Sequence, residues 1–217
     1  MELTGYVVAI DGPGGSGKTT VARSVAMELE LPHLDTGAFY RAATVAVLRA
    51  GIDCEDQEAV AALIRAVELR YDRGRMLLNE EDVSEAIRSE QTTLAVSAVS
   101  AVPEVRRLMV QAQRNWVAER GGSAVVEGRD IGSVVFPDAA LKLFITARPE
   151  VRARRRAGEV AGDQELIEQD LARRDTIDST RAVSPLQHAP DAIEVDTSDL
   201  SVDEVIARVL TLVAATR

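Results

Sequence analysis

An apolar run, Tyr6-Val7-Val8-Ala9-Ile10, leads into Gly12-Pro13-Gly14-Gly15-Ser16-Gly17-Lys18-Thr19. Apolar residues at helical spacing follow, at Val21, Val25, Ala26 and Leu29. The central stretch fits GxxxxGK[ST], and its flanks predict a buried strand before it and a helix after it. That order restricts the chain to an α/β architecture with a phosphate-binding loop at a strand end. Glycines allow backbone N–H groups to turn inward around phosphate oxygens, and the helix N-terminus adds its own donors and partial positive charge. Lys18 is expected to stand in a solvated loop and reach the outer phosphates. The Thr19 hydroxyl is expected to help hold Mg²⁺, with Thr20 completing the loop.

The rest of the chain bounds what such a loop can serve. Its 217 residues suit one domain with a small inserted lobe, and a hydrophobic fraction of 46% supports a sizeable core. Aromatic residues make up only 3%, which argues against stacking platforms for single-stranded nucleic acid. A formal charge of −10 argues against nucleic-acid and anionic-membrane partners. An anionic ligand would therefore need a local arginine pocket inside a negative exterior. Cys54 is the lone cysteine, so no internal disulfide is expected. His33 and His188 are far apart and lack cysteine partners, so zinc is not expected. Neither a leader pattern nor a membrane-length apolar run is visible, and the expectation is a soluble cytoplasmic protein. No long apolar seam suggests a dimer, which favours a monomer.

Periodicity sets the element order. Leu31–Asp35 reads as a short strand, Thr36 to about Arg49 as a helix ended by Gly51, and Asp56–Ala66 as another helix. Val67–Tyr71 alternates, Asp72-Arg73-Gly74 turns, and Arg75–Asn79 returns as a β-hairpin. Helical spacing resumes from Val83 to Val99, and Pro103 opens a long helix through Trp116. Ser123–Glu127, Ala140–Ile145 and Ala192–Val195 read as further strands. The cluster Arg152 to Arg156, a polar helix to about Asp178 and a closing helix Val202–Val213 complete the pattern. Strands separated by helices predict a five-stranded parallel sheet with helices on both faces and ligands beyond the strands' carboxyl ends.

The remaining signals concern a second anion. No Asn-Lys-x-Asp element for guanine is present. Arg41, Arg106, Arg129, Arg174 and Arg181 lie near element ends or in loops, and Arg152, Arg154, Arg155 and Arg156 cluster. Guanidinium groups bind phosphate through paired hydrogen bonds and remain charged. Phosphoryl transfer between two anions needs such cations. Three readings fit the residues: a kinase acting on a monophosphate, a small-molecule kinase with another acceptor such as a sugar acid, and a regulator that binds ATP without turnover.

The chain resembles the bacterial cytidylate kinases, within the nucleoside monophosphate kinases, over nearly its whole length. The resemblance rests on Ile10-Asp11-Gly12-Pro13, Leu34-Asp35-Thr36-Gly37-Ala38-Phe39-Tyr40-Arg41, Asp82-Val83-Ser84 with Ile87-Arg88, and Val96-Ser97. It also rests on Pro103-x-Val105-Arg106, the block Gly128 to Ala139, Arg173-Arg174-Asp175, Asp178, and Arg181-Ala182-Val183-Ser184-Pro185-Leu186. It implies a core of residues 1–65 and 103–217 that binds ATP. It further implies a monophosphate-binding lobe at 66–102 and a lid at 152–162. Cytosine would be read by Ser97, Arg106 and Asp130. The acceptor phosphate would be held by Arg41, Arg129 and Arg174, the sugar end by Asp178 and Arg181, with Thr36 and Tyr40 also lining the CMP site. Lys18, Arg129, Arg152, Arg155 and Arg156 would serve transfer from Mg-ATP to CMP or dCMP. The chemistry agrees: an ionised Asp130 accepts from the cytosine amino group, whereas Ser97 and Arg106 donate to N3 and O2. Read without the family, Asp130 could equally cap a helix start, and Ser97 could bond back to its own helix. Two departures stand out. Gly14 replaces a common Ser or Ala, predicting a more flexible loop, and Glu127 replaces a common Asp, altering its reach toward a metal-bound water.

Overall fold

The structure, a computed structural model, describes residues 5–72, 74–160, 163–181 and 183–216. Arg73 of the expected hairpin turn, Ala161 and Gly162 of the expected lid, and Ala182 lie outside the described residues. The chain divides into two compact units. One comprises the residues up to His33 and from Arg120 onward, and the other comprises Leu34–Glu119.

The first unit is built on a parallel sheet. Its strands are β1 (Val7–Asp11), β2 (His33–Asp35, where the chain passes into the second unit), β6 (Ala124–Gly128), β7 (Leu141–Thr146) and β8 (Ile193–Asp196), in the order β2-β6-β1-β7-β8. β1 is central and pairs in parallel with β6 and β7, and β7 pairs in parallel with β8. Every residue of β1 is buried, which explains its unbroken apolar run in place of alternation. Val8, Ile10, Val125, Leu143, Ile145 and Val195 form the core. Val21 and Val25 of α1 (Lys18–Glu28) pack with them, as do Val205, Val209 and Val213 of α8 (Val202–Ala215). Burial of each such valine contributes roughly 1.5–3 kcal/mol. α6 (Pro149–Val160) and α7 (Gln164–Thr180) carry the expected arginine cluster and polar helix.

The second unit contains α2 (Thr36–Arg49), α3 (Gln57–Ala66), α4 (Glu90–Ala101) and α5 (Pro103–Ala118), with an antiparallel sheet of β3 (Leu69–Asp72), β4 (Arg75–Leu78) and β5 (Glu81–Asp82). Phe39, Tyr71 and Trp116 pack together, and Trp116 Nε1 donates to the Tyr71 carbonyl at 2.7 Å. Two expectations need correction. The expected single helix from Val83 to Val99 is a 3₁₀ turn at Ala86–Arg88 followed by α4, because Ser89 is extended and its hydroxyl accepts the Thr92 N–H as an N-cap. β5 was not anticipated, since Glu81 and Asp82 are charged and exposed and join the sheet through backbone pairing with Leu78 and Leu77. The unit Leu34–Glu119 is wider than the segment 66–102 expected as an insert. No helix among the described residues is long and apolar enough to cross a membrane.

Candidate active site

β1 ends at Asp11, the loop occupies Gly12–Gly17, and α1 opens at Lys18. A Cβ at Gly12, where φ is 148°, would lie 2.0 Å from the Ile145 carbonyl oxygen, so the loop can leave the sheet there only as glycine. A Cβ at Gly14 would meet Leu171 at 3.1 Å, so Leu171 occupies the space that the commoner Ser or Ala would take. Ser16 Oγ is buried and has no hydrogen-bond partner among the described residues. Lys18 corrects the expectation of a solvated loop residue: it begins the helix, is only 7% exposed, and its Nζ donates to the Pro13 carbonyl at 2.8 Å. Thr19 Oγ1 donates to Glu127 Oε2 at 2.8 Å, and the other Glu127 oxygen lies 3.0 Å from His33 Nε2. Sequence reasoning considered His33 only for zinc. Its pairing with Glu127 joins residues on two strands and has no signal in spacing.

The arginines form two groups in this unit. Arg152 Nη1 donates to the Gly14 carbonyl at 3.1 Å and to Asp175 at 2.5 Å. Arg155 donates to the Ser16 carbonyl at 3.3 Å and, through both terminal nitrogens, to the Thr197 hydroxyl and carbonyl at 2.9 and 2.7 Å. Both guanidinium groups therefore brace carbonyls of the phosphate loop. Thr197, at the end of β8, also reaches the Ser16 carbonyl at 3.2 Å and was not singled out in the sequence. In the second group, Arg129 Nε donates to Asp178 Oδ2 at 3.0 Å, and Arg181 Nη1 lies 3.5 Å from Asp178 Oδ1. Burial, then the charges of Arg129 and Arg156, hold the Arg174 guanidinium below its ordinary value, offset in part by Asp170 and Asp178. Arginines gathered in this way around Asp178 outnumber its charge, a favourable setting for a phosphate dianion.

Asp130 sits at the mouth of a one-turn π-helix, Ile131–Val135, and makes no side-chain cap to it. Asp11 does so instead, accepting from the Ile131 and Gly132 N–H groups at 2.8 Å each. Capping therefore does not account for Asp130.

The second unit gathers the other expected residues. Thr36 opens α2, and Thr36, Tyr40 and Ser97 are buried. Arg41 Nη1 donates to the Ile87 carbonyl at 3.0 Å and to Thr93 Oγ1 at 2.9 Å, tying α2 to the 3₁₀ turn and α4. Arg106 is 2% exposed, its guanidinium lies 5.1 Å from the Tyr40 ring centroid, and it donates to the Ser100 carbonyl at 3.2 Å. A cation buried this deeply is costly unless it has a task or full pairing.

A family model described as Cytidylate kinase matches residues 8–215. The chain belongs to the cytidylate kinase family. The cytidylate kinase of Mycobacterium leprae is 53% identical over 216 residues, covering 97% of this chain and 96% of its own. The cytidylate kinase of Carboxydothermus hydrogenoformans is 44% identical over 215 residues, covering 95% and 96%. Among solved structures, a gluconokinase from Sinorhizobium meliloti is similar with a TM-score of 0.54 at 13% identity, over 99% of this chain and 94% of that one. An uncharacterized protein from Eubacterium ventriosum gives 0.53 at 13% identity, over 96% and 98%. These two share the α/β fold.

Proposed function

We propose that the chain transfers the γ-phosphoryl group of Mg-ATP to CMP or dCMP, releasing ADP and the diphosphate. The carrying observation is that one unit holds both a phosphate loop and a separate arginine group, in which Arg129 and Arg181 flank Asp178 and Arg174 lies close to Arg129. A nucleotide-dependent regulator needs only the first of these. Membership of the cytidylate kinase family then selects the acceptor over a sugar acid.

Each residue has a task in this reading. The backbone of Gly12, Pro13, Gly14, Gly15, Ser16 and Gly17, with Thr19 and Thr20, wraps the ATP phosphates. Lys18 exchanges the Pro13 carbonyl for a phosphate oxygen. Arg41, Arg129 and Arg174 hold the acceptor phosphate, whose oxygen attacks the γ-phosphorus as the bond to the β-phosphate breaks. No general base is required, because a phosphate monoester with a second pKa near ~6 is already mostly dianionic at neutral pH. Arg152 and Arg155 keep the loop in shape and, with Arg156, balance the charge that develops. Ser97, Arg106 and Asp130 read cytosine. Asp178 and Arg181 meet the sugar, and Thr36 and Tyr40 line the same site.

Thr19 Oγ1 and the Glu127 carboxylate are hard oxygen donors at the loop's end, a set that fits Mg²⁺. Among the described residues no group of three or more His, Cys, Asp or Glu could hold a metal, and nucleotide phosphate and water oxygens would supply the other ligands. When bound, Mg²⁺ would neutralise charge on the transferring phosphates. Segments 66–102 and 152–162 act as the monophosphate-binding lobe and the lid of the core, excluding water. The chain acts in the cytoplasm as a single copy.

A coupled ADP-release assay across monophosphates tests the reading. CMP and dCMP should stimulate ADP release strongly, UMP weakly and gluconate not at all, and EDTA should abolish release. Equal ATP consumption with and without CMP would favour the regulator. Stimulation by gluconate alone would favour the sugar-acid kinase.

A further inference from the structure

Asp11 is the last residue of the central strand, in register with Gly128 of β6 on one side and Phe144 of β7 on the other. Its side chain is 4% exposed. Each of its two oxygens accepts one backbone N–H, from Ile131 and from Gly132, at 2.8 Å. Those residues open the turn that Asp130 precedes. A helix start ordinarily takes its cap from the residue just before it. Here the cap comes from a different strand, and the Asp130 carboxylate is spared that task.

This arrangement is chemically demanding. In this geometry each N–H meets its own oxygen. A carboxylate presents an acceptor to both, whereas an asparagine held in the same place would turn its NH₂ toward one of the donors. The carboxylate is also costly to keep. Burial raises its pKa to about 6 although both backbone hydrogen bonds pull it down, and the nearby Asp130 charge raises it further. A cap needed for stability alone would be met more cheaply by Asp130 itself. Gly132 is packed closely as well: a Cβ there would lie 3.1 Å from Lys142 Cδ, so the turn is held from both sides.

We propose that Asp11 is a positioning residue for base selection: by capping the turn after Asp130, it holds the Asp130 carboxylate in the orientation that separates CMP from UMP. The inference rests on the reading of Asp130 as a cytosine contact. It predicts that changes at Asp11 move acceptor choice and leave ATP use alone, although Asp11 adjoins the phosphate loop in sequence.

The test compares the full-length parent with Asp11→Asn, Asp11→Glu and Asp130→Asn, measuring kcat/KM for CMP and UMP and KM for ATP. Asp11→Asn should lower kcat/KM for CMP about tenfold or more, the expectation for a lost charged hydrogen bond. UMP should fall less, so the CMP-to-UMP ratio drops while KM for ATP stays within about twofold. Adding Asp11→Asn to Asp130→Asn should lower the ratio no further. If Asp11→Asn does not fold, Asp11→Glu keeps both acceptor oxygens on a longer arm. It should lower the ratio by displacing the turn. A ratio held at the parent value in a folded Asp11 variant, with both substrates falling together, would make Asp11 purely structural and overturn the inference. If Asp130→Asn itself leaves the ratio unchanged, the reading of Asp130 fails and the inference falls with it. If Asp130→Asn moves the ratio and neither Asp11 variant does, the inference fails alone.

Discussion

The ammonium of Lys18 rests against a carbonyl of its own loop, in a side chain almost wholly buried. A phosphate oxygen can replace that carbonyl without drawing the ammonium out of water, so the charge is preorganised for the transition state. Lys18→Met keeps the alkyl stem and removes the charge. Turnover should fall at least ~100-fold, on the scale of losing one preorganised donor, while the melting midpoint moves by only a few degrees. Near-parent turnover in the folded variant would remove Lys18 from the chemistry. The charged residues of the site were legible because phosphate chemistry demands such types beside a glycine loop. Their partners were not. Asp11 meets Ile131 and Gly132, and His33 meets Glu127, only through strand alignment, which no local pattern encodes. Arg152 and Arg155 were read as serving the transfer, and their hydrogen bonds to the carbonyls of Gly14 and Ser16 had no signal in the sequence.

At the scale of elements, legibility followed periodicity. The fully buried β1 and the helix after its loop were plain in the sequence, as was α2, whose alanines and valines are buried on most sides. The break at Ser89 was hidden because apolar spacing continues across it, and a cap interrupts a helix without disturbing that spacing. The closing helix α8 offers a test of capping apart from catalysis. Ser201 Oγ accepts the Glu204 N–H at 3.3 Å, and Glu204 Oε2 accepts the Ser201 N–H at 2.8 Å. That box fixes the start of the helix whose Val205, Val209 and Val213 enter the core. Ser201→Ala should cost about 1 kcal/mol in urea unfolding, and the melting midpoint should fall by about 2–4 °C. Turnover should stay at the parent level, since Ser201 takes no part in the site. Unchanged stability would mean that packing alone defines this helix end.

The whole molecule carries 35 acidic against 25 basic residues, so most of its pH response comes from carboxylates. Several of them, including Glu104, Asp191 and Asp199, are pulled below their ordinary values, each first by a side-chain hydrogen bond to Arg107, Lys142 and Arg148 respectively. They favour the folded state above the ordinary carboxylate pKa and lose that contribution as pH falls, but Glu104 is only half-buried, Asp191 and Asp199 are exposed, and solvent screens them. Asp11 acts in the opposite sense. Its folded pKa is about 6 against an ordinary 3.8, raised chiefly by burial. Its protonated form is therefore favoured on folding. The associated stability is fully present below about pH 4 and is lost as pH rises through about 6, amounting to on the order of 3 kcal/mol at neutral pH. Asp11→Asn cannot ionise, and the pH-independent cost of its mismatched N–H cancels between two pH values. Urea unfolding of parent and Asp11→Asn at pH 4.5 and 7.5 isolates the effect, since the other carboxylates are common to both proteins. Relative to the variant, the parent should be more favoured at pH 4.5 than at pH 7.5 by about 2 kcal/mol, because at pH 4.5 the unfolded chain is already largely ionised. A difference that does not change with pH would mean that Asp11 ionises at its ordinary value, and that its two backbone hydrogen bonds fully offset the cost of burial.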